Sequence, residues 1–289
     1  SNESEHEPSE EINVNEVPDW RQEPGTPLWD FDREPPQSVH VEELEEPVAV
    51  GPEITELRER FEAKVVQNPN MFNGPMASVE SVRLSPDGRI DMVTRPTDYF
   101  TYTAAVYHHR HDQGRNPIRP LGVQATILSP DGEKIILERK PLSVAEFPGQ
   151  LYSTGASTRP GHQPEEEMLH VLRKKTGLEI EADQVKVTGM SRSNIINNYC
   201  LLYEVRLTPE QYELGQTKAK QIMRESERRF YPITVDQAAG SIERMYGGKR
   251  TIGAWDPNTY YNVLYALRAE GRRTPDQLRA IEAAGQRDL

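Results

Sequence analysis

The densest chemistry in the chain lies at residues 162–175, HQPEEEMLHVLRKK. Apolar spacing predicts a helix over about 164–176, with Pro164 in its first turn and Gly177 just past its end, where glycine tolerates a left-handed backbone. Three chemistries fit this segment. His162, Glu166 and His170 recur every four residues, which lines them along one side as candidate ligands for a metal such as zinc. Glu165, Glu166 and Glu167 sit at the helix start, where the macrodipole favours acids without any further role. Arg173, Lys174 and Lys175, with Arg139 and Lys140 at the end of the preceding strand, could grip a phosphate without a metal. The alternative for these cations is a solvated basic helix end, favoured by the same dipole. Elsewhere the signals are structural. Cys200 lies in the apolar run YCLLYEV as a buried thiol. His108, His109 and His111 read as a solvated loop, and Lys218 to Arg229 as a charged face interrupted by Glu225 and Glu227. Tyr260, Tyr261 and Tyr265 read as packing residues of a closing helix.

The elements that must hold that helix are strands. SVESVRL and RIDMVT flank Ser85-Pro86-Asp87-Gly88, and LGVQATIL (121–128) and KIILER (134–139) flank Ser129-Pro130-Asp131-Gly132, both hairpins by residue type. Further strands are predicted at about 184–190, 198–207 and 228–232. Helices are predicted at 53–66, 208–214, 234–246 and 257–270. Strands interleaved with helices and hairpins imply an α/β chain of the α+β kind, a mixed sheet with helices packed on it. The expected division is an acidic, Pro-rich tail at 1–50, a short helix and linker at 51–77, one domain at 78–270, and a polar C-terminal tail at 271–289.

Charge supports that division. The net charge is −12, yet residues 1–50 hold 15 acids against Arg21 and Arg33 alone, so the rest of the chain is close to neutral. A segment rich in Glu, Pro and Ser with few apolar residues does not offset its own ordering entropy and is expected to be largely disordered. Trp20, Trp29 and Phe31 interrupt that pattern, since aromatic residues anchor interfaces. They point to a segment that folds on docking, onto a protein partner or back onto its own domain. No apolar run is long enough to span a membrane. No secretion signal is visible, and a lone cysteine fits an intracellular, reducing compartment.

From LGVQATIL through FPGQLYSTGASTRPGHQPEEEMLHVLRKKTGLEI the chain resembles the Nudix superfamily. That family's signature is Gly, five residues, Glu, seven residues, Arg-Glu-aliphatic, one residue, Glu-Glu, one residue, Gly-aliphatic. The resemblance implies a Nudix-like mixed β-sheet sandwiched by helices over about 78–270. In this register the signature's glycine falls on Ala156, beside a kept Gly155. Its first glutamate falls on His162, its arginine on His170 and its next glutamate on Val171, and the glutamate pair falls on Lys174 and Lys175. Leu172, Gly177 and Leu178 survive, and all three are structural.

In active members the glutamates hold hard divalent cations through oxygen, and the metals activate water for attack on a diphosphate. A valine offers no ligand, and an ammonium repels Mg²⁺. The resemblance therefore implies a catalytically degenerate Nudix-fold protein with no cofactor, used for binding or assembly within a larger complex. The protein partner is expected through residues 1–50, with a nucleotide or RNA as possible ligand. The competing readings are a hydrolase of a nucleoside diphosphate derivative, which alone would need Mg²⁺, and a metal-free nucleotide sensor. The hydrolase reading draws on family members whose catalytic acids lie outside the box.

Overall fold

A computed structural model describes residues 7–65, 67, 71–139, 151–225, 230–238 and 256–287. The two expected hairpins nucleate two sheets. In the first, β4 (Pro75–Leu84) and β5 (Arg89–Asp98) pair antiparallel around a turn whose Gly88 adopts φ 91°. β1 (Glu10–Ile12) adds beside β4, and β3 (Ser38–Glu43) adds parallel to β5. In the second, β6 (Leu121–Leu128) and β7 (Lys134–Arg139) pair around Gly132, at φ 71°. A Cβ there would come within 2.9 Å of the Arg206 guanidinium.

The second sheet runs β12-β7-β6-β11-β10-β2, with β12 at Phe230–Thr234, β11 at Asn198–Arg206, β10 at Val185–Ser193 and β2 at Gly25–Pro27. β8 (Leu151–Tyr152) pairs with β7, and β9 (Thr154–Ser157) pairs with β6. Because β11 lies parallel to β6, the chain between them must cross over the sheet, and that crossover carries α3 (Pro164–Thr176). Alternate residues of the central strands face different helices. The Gln124 side-chain Oε1 accepts a hydrogen bond from the Thr259 hydroxyl of α5 (Pro257–Ala269), whereas Tyr203, which lies beside Ala125, meets Glu165 of α3. Helices on both faces explain why seven of the eight β6 residues are buried.

The N-terminal segment departs from expectation. Trp29 and Phe31 are core residues, 2% and 4% exposed, so of the expected disordered tail and the two dockings, onto a partner or back onto its own domain, this segment takes the last. The segment 25–31 lies along α5 and bonds to Tyr261, Tyr265 and Arg268, one helical face at i, i+4 and i+7. The Tyr261 hydroxyl donates to the Gly25 carbonyl at 3.1 Å, and the Arg268 Nε donates to the Phe31 carbonyl at 3.1 Å. The Tyr265 hydroxyl accepts from the Trp29 amide at 3.2 Å and donates to the Trp29 carbonyl. The Phe31 and Tyr265 rings pack with centroids 4.9 Å apart. An acidic composition did not prevent folding here, because α5 supplies both the apolar surface and the hydrogen bonds. Trp20 keeps partial exposure, 38%.

Other boundaries shift as well. The expected C-terminal polar tail forms α6 (Pro275–Arg287), with Leu278 and Ile281 buried. α4 runs Pro209–Glu225, longer than the predicted 208–214. A helix absent from the sequence reading, α2 (Tyr99–His108), is capped by Asp98, whose carboxylate accepts from the Thr101 amide at 3.0 Å. His108 is its last residue, so the histidine tract begins on a helix end. α1 (Pro52–Val65) matches its prediction to within a residue. Lys140, Arg228, Arg229 and most of the predicted helix 234–246 lie outside the described residues. Among the described residues no helix is long and apolar enough to cross a membrane.

Candidate functional site

α3 is anchored by Met168, Val171 and Leu172, which are buried on one face. Its C-terminus is closed by Gly177 at φ 69°, whose amide donates to the Arg173 carbonyl at 2.9 Å. The Lys218 ammonium donates to the Gly177 carbonyl, adding a cation at the negative end of the dipole.

The three acids occupy the first turn of α3, where the dipole favours them, and differ in their contacts. Glu166 is exposed. Glu167 is 3% exposed on its side chain and is clasped by Arg159, whose Nη2 and Nε reach Oε1 at 2.8 and 3.1 Å. Glu165 is half-buried beside the Tyr203 hydroxyl, and burial raises its carboxyl above the ordinary range. The proposed metal side dissolves accordingly. His162 precedes the helix and stands 3.6 Å from Glu167, not Glu166, while His170 points outward. Among the described residues no three His, Cys, Asp or Glu side chains gather to hold a metal ion.

The basic residues also separate. Arg173 donates through Nε and Nη2 to the Ile180 carbonyl, at 2.9 and 2.7 Å, tying the helix end to the loop that follows. Lys174 is exposed. Lys175 folds back to β9, where its ammonium donates to the Gly155 carbonyl at 2.7 Å and lies 5.2 Å from the Tyr152 ring centroid. Residues two apart on a helix do not face each other, so Arg173 and Lys175 serve different neighbours. Of Arg139 only its backbone pairing with Leu151 is described, so its side chain cannot be joined to this group.

Val171 is buried, 6% exposed, and Ala156 pairs with Val123 in the sheet. These are the positions at which the resemblance would lead one to expect a ligand and a glycine. Gly155 is retained for a steric reason, since a Cβ there would lie 2.5 Å from the Val123 carbonyl.

One residue escaped the sequence reading. Glu138 lies opposite Tyr152 on β7 and is 2% exposed, and neither carboxylate oxygen has a hydrogen-bond partner among the described residues. Residues directly opposite across two strands share a sheet face. Glu138 therefore shares the face on which Tyr152 meets Lys175. The signal was present as an acid inside the apolar run KIILER.

Comparison with known proteins gives a consistent set of neighbours. No family model matches the chain, and no curated protein matches it. Solved structures that it is similar to include a mutT/nudix family protein from Listeria innocua, 11% identical over 53% of this chain and 94% of that one, with a TM-score of 0.38. A Nudix hydrolase from M. smegmatis is 11% identical over 53% of this chain and 86% of that one, with a TM-score of 0.30. A MutT/nudix family protein from Enterococcus faecalis is 13% identical over 35% of this chain, with a TM-score of 0.29, and the match spans 41% of its length. These three neighbours are described as Nudix or MutT proteins.

Proposed function

We propose that this chain is a catalytically degenerate Nudix-fold protein that acts as a binding or assembly subunit of a larger complex. The observation that carries this reading is Lys175. At the last glutamate of the box register, the chain places an ammonium bonded to the Gly155 carbonyl and lying beside the Tyr152 ring. A fixed cation there removes a carboxylate ligand and opposes a second cation. Two like charges about 4 Å apart cost roughly 4 kcal/mol near a protein surface. Val171, buried against the sheet, removes another ligand.

The test is phosphate release from a panel of nucleoside diphosphate derivatives, with Mg²⁺ and with Mn²⁺. The full chain is expected to match the protein-free blank. Turnover above that blank would remove the reading.

A second reading, a hydrolase whose acid lies outside the box, is favoured by Glu138. A buried carboxylate with no hydrogen bond among the described residues is costly and calls for a reason. If turnover is found and is lost in Glu138→Gln, this second reading replaces the first.

A further inference from the structure

Asn73-Gly74 is the one Asn-Gly dipeptide in the chain, and it lies just before β4, outside any helix or strand. An asparagine followed by glycine is open to ring closure, because no Cβ shields the backbone nitrogen that follows it. Asn73 is exposed to water. Among the described residues the Gly74 amide donates to no oxygen. The two Asp-Gly pairs differ in this respect. The Gly88 and Gly132 amides donate to the Ser85 and Ser129 carbonyls, at 3.1 and 2.9 Å, which holds those nitrogens within their turns.

The Asn73 side chain also docks on the start of α2. Its Oδ1 accepts from the Phe100 amide at 3.0 Å, within the first turn. Negative charge that develops on Oδ1 when Cγ is attacked therefore meets a backbone donor and the positive end of the helix. The side chain also faces the Asp98 carboxyl. Burial acts to raise that carboxyl, while Thr101, Arg58 and Asn73 together hold it below its ordinary range. Asp98 is thus ionised beside the amide.

We propose that Asn73 is a site of spontaneous succinimide formation in the folded protein, and that its conversion loosens the start of α2. The Gly74 nitrogen loses its proton to solvent base and attacks Asn73 Cγ. The Cγ–Nδ2 bond then breaks, and Nδ2 leaves as ammonia with a proton from water. Water opens the ring at Cγ to give aspartate, or at the Asn73 main-chain carbonyl carbon to give isoaspartate. One water is consumed and one ammonia released, with no change of oxidation state. Either product sets a second carboxylate against Asp98. Isoaspartate also lengthens the backbone ahead of Gly74, whose carbonyl accepts from the Tyr99 amide at 2.9 Å. Tyr102, Ala104 and Ala105 of α2 are buried with Ile54 and Met76, so a disturbed cap acts on a packed helix. This inference is independent of whether the box is degenerate.

The test is incubation of the full chain at mildly alkaline pH in heavy-oxygen water, followed by peptide mapping. Asn73 is expected to become a mixture of aspartate and isoaspartate carrying one heavy oxygen, ahead of every other asparagine. Gly74→Ala is expected to slow that conversion at least about tenfold, a barrier higher by about 1.4 kcal/mol. The new Cβ is accommodated, since it would meet only the Phe72 ring edge at 3.4 Å. After equal incubation the wild-type chain is expected to melt at a lower temperature than Gly74→Ala, although the two melt alike when fresh. If circular dichroism shows that Gly74→Ala has lost its fold, Asn73→Gln serves instead, because its longer side chain would have to close a six-membered ring. An intact Asn73 in a chain whose other asparagines convert, or an equal rate in a folded Gly74→Ala, overturns the site. Equal melting of the converted and unconverted chains overturns the loosening of α2.

Discussion

Tyr265→Phe tests whether the N-terminal segment belongs to the core. The substitution deletes one oxygen that accepts from the Trp29 amide and donates to the Trp29 carbonyl. Trp29 is 2% exposed, so both backbone groups would lose their partner in a site closed to water. Each buried unsatisfied group costs about 1–3 kcal/mol, and relief from desolvating the phenol offsets part of it, leaving a net loss of about 2 kcal/mol. Trp29→Ala removes a buried indole as well and is expected to cost about 3–5 kcal/mol. Urea unfolding is the assay: the midpoint should fall while the slope stays constant, because the surface exposed on unfolding is unchanged. Tyr107→Phe, at a residue 59% exposed, is the control and should have no effect. If Tyr265→Phe stays within about 0.5 kcal/mol of wild type and Trp29→Ala loses less than about 1 kcal/mol, residues 25–31 do not pack on α5 in solution.

Three further outcomes follow from other contacts. Gly25→Ala should destabilise by about 1–3 kcal/mol in the same assay, because its new Cβ would lie 2.9 Å from the Tyr261 ring and 3.1 Å from Pro257. Glu204 and Glu282 have carboxyls raised to about 7, in both cases chiefly by burial, with Glu23 adding to the rise at Glu282. The folded state therefore holds these protons more tightly than the unfolded state. The stability that these two carboxyls contribute should be fully present below about pH 4.5 and decline as pH rises through about 7. Glu282→Gln should flatten that decline and raise stability at pH 8 by up to about 3 kcal/mol, less the part that solvent screens; an unchanged pH profile of the melting temperature would refute it. Lys175→Met should lower stability by about 1 kcal/mol, the worth of one hydrogen bond to a carbonyl. Its melting temperature should be the same with and without Mg²⁺.

The hairpins and α3 were legible because local rules sufficed. Asp-Gly turns, apolar strands and a proline-to-glycine helix gave β4–β5, β6–β7 and Pro164–Thr176 with little error. For the N-terminal segment the sequence leaves docking onto a partner and docking onto its own domain open, because its stability is not local. Trp29 and Phe31 are held by Tyr261, Tyr265 and Arg268, more than two hundred residues away in sequence, and composition carries no record of that pairing. At the site, sequence proximity grouped Arg173 and Lys175 as one phosphate grip, whereas Lys175 bonds to Gly155 and Arg173 turns to Ile180. Spacing by four suggested a side for His162, Glu166 and His170, but a proline-bounded start puts His162 off the helix and beside Glu167. Glu138 and Glu204 were passed over because each is one acid within an apolar strand. Only the fold reveals that both Glu138 oxygens are buried without a hydrogen-bond partner among the described residues.

The most direct test of the proposed loss of metal binding is a titration of the full chain with Mn²⁺, followed by electron paramagnetic resonance of the free ion. With Lys175 on the Gly155 carbonyl and Val171 buried, the free-ion signal should rise linearly from the first addition, as in buffer. One equivalent of silent Mn²⁺, with paramagnetic broadening centred on Gly155 and Lys175 in the amide spectrum, would contradict a metal-free helix.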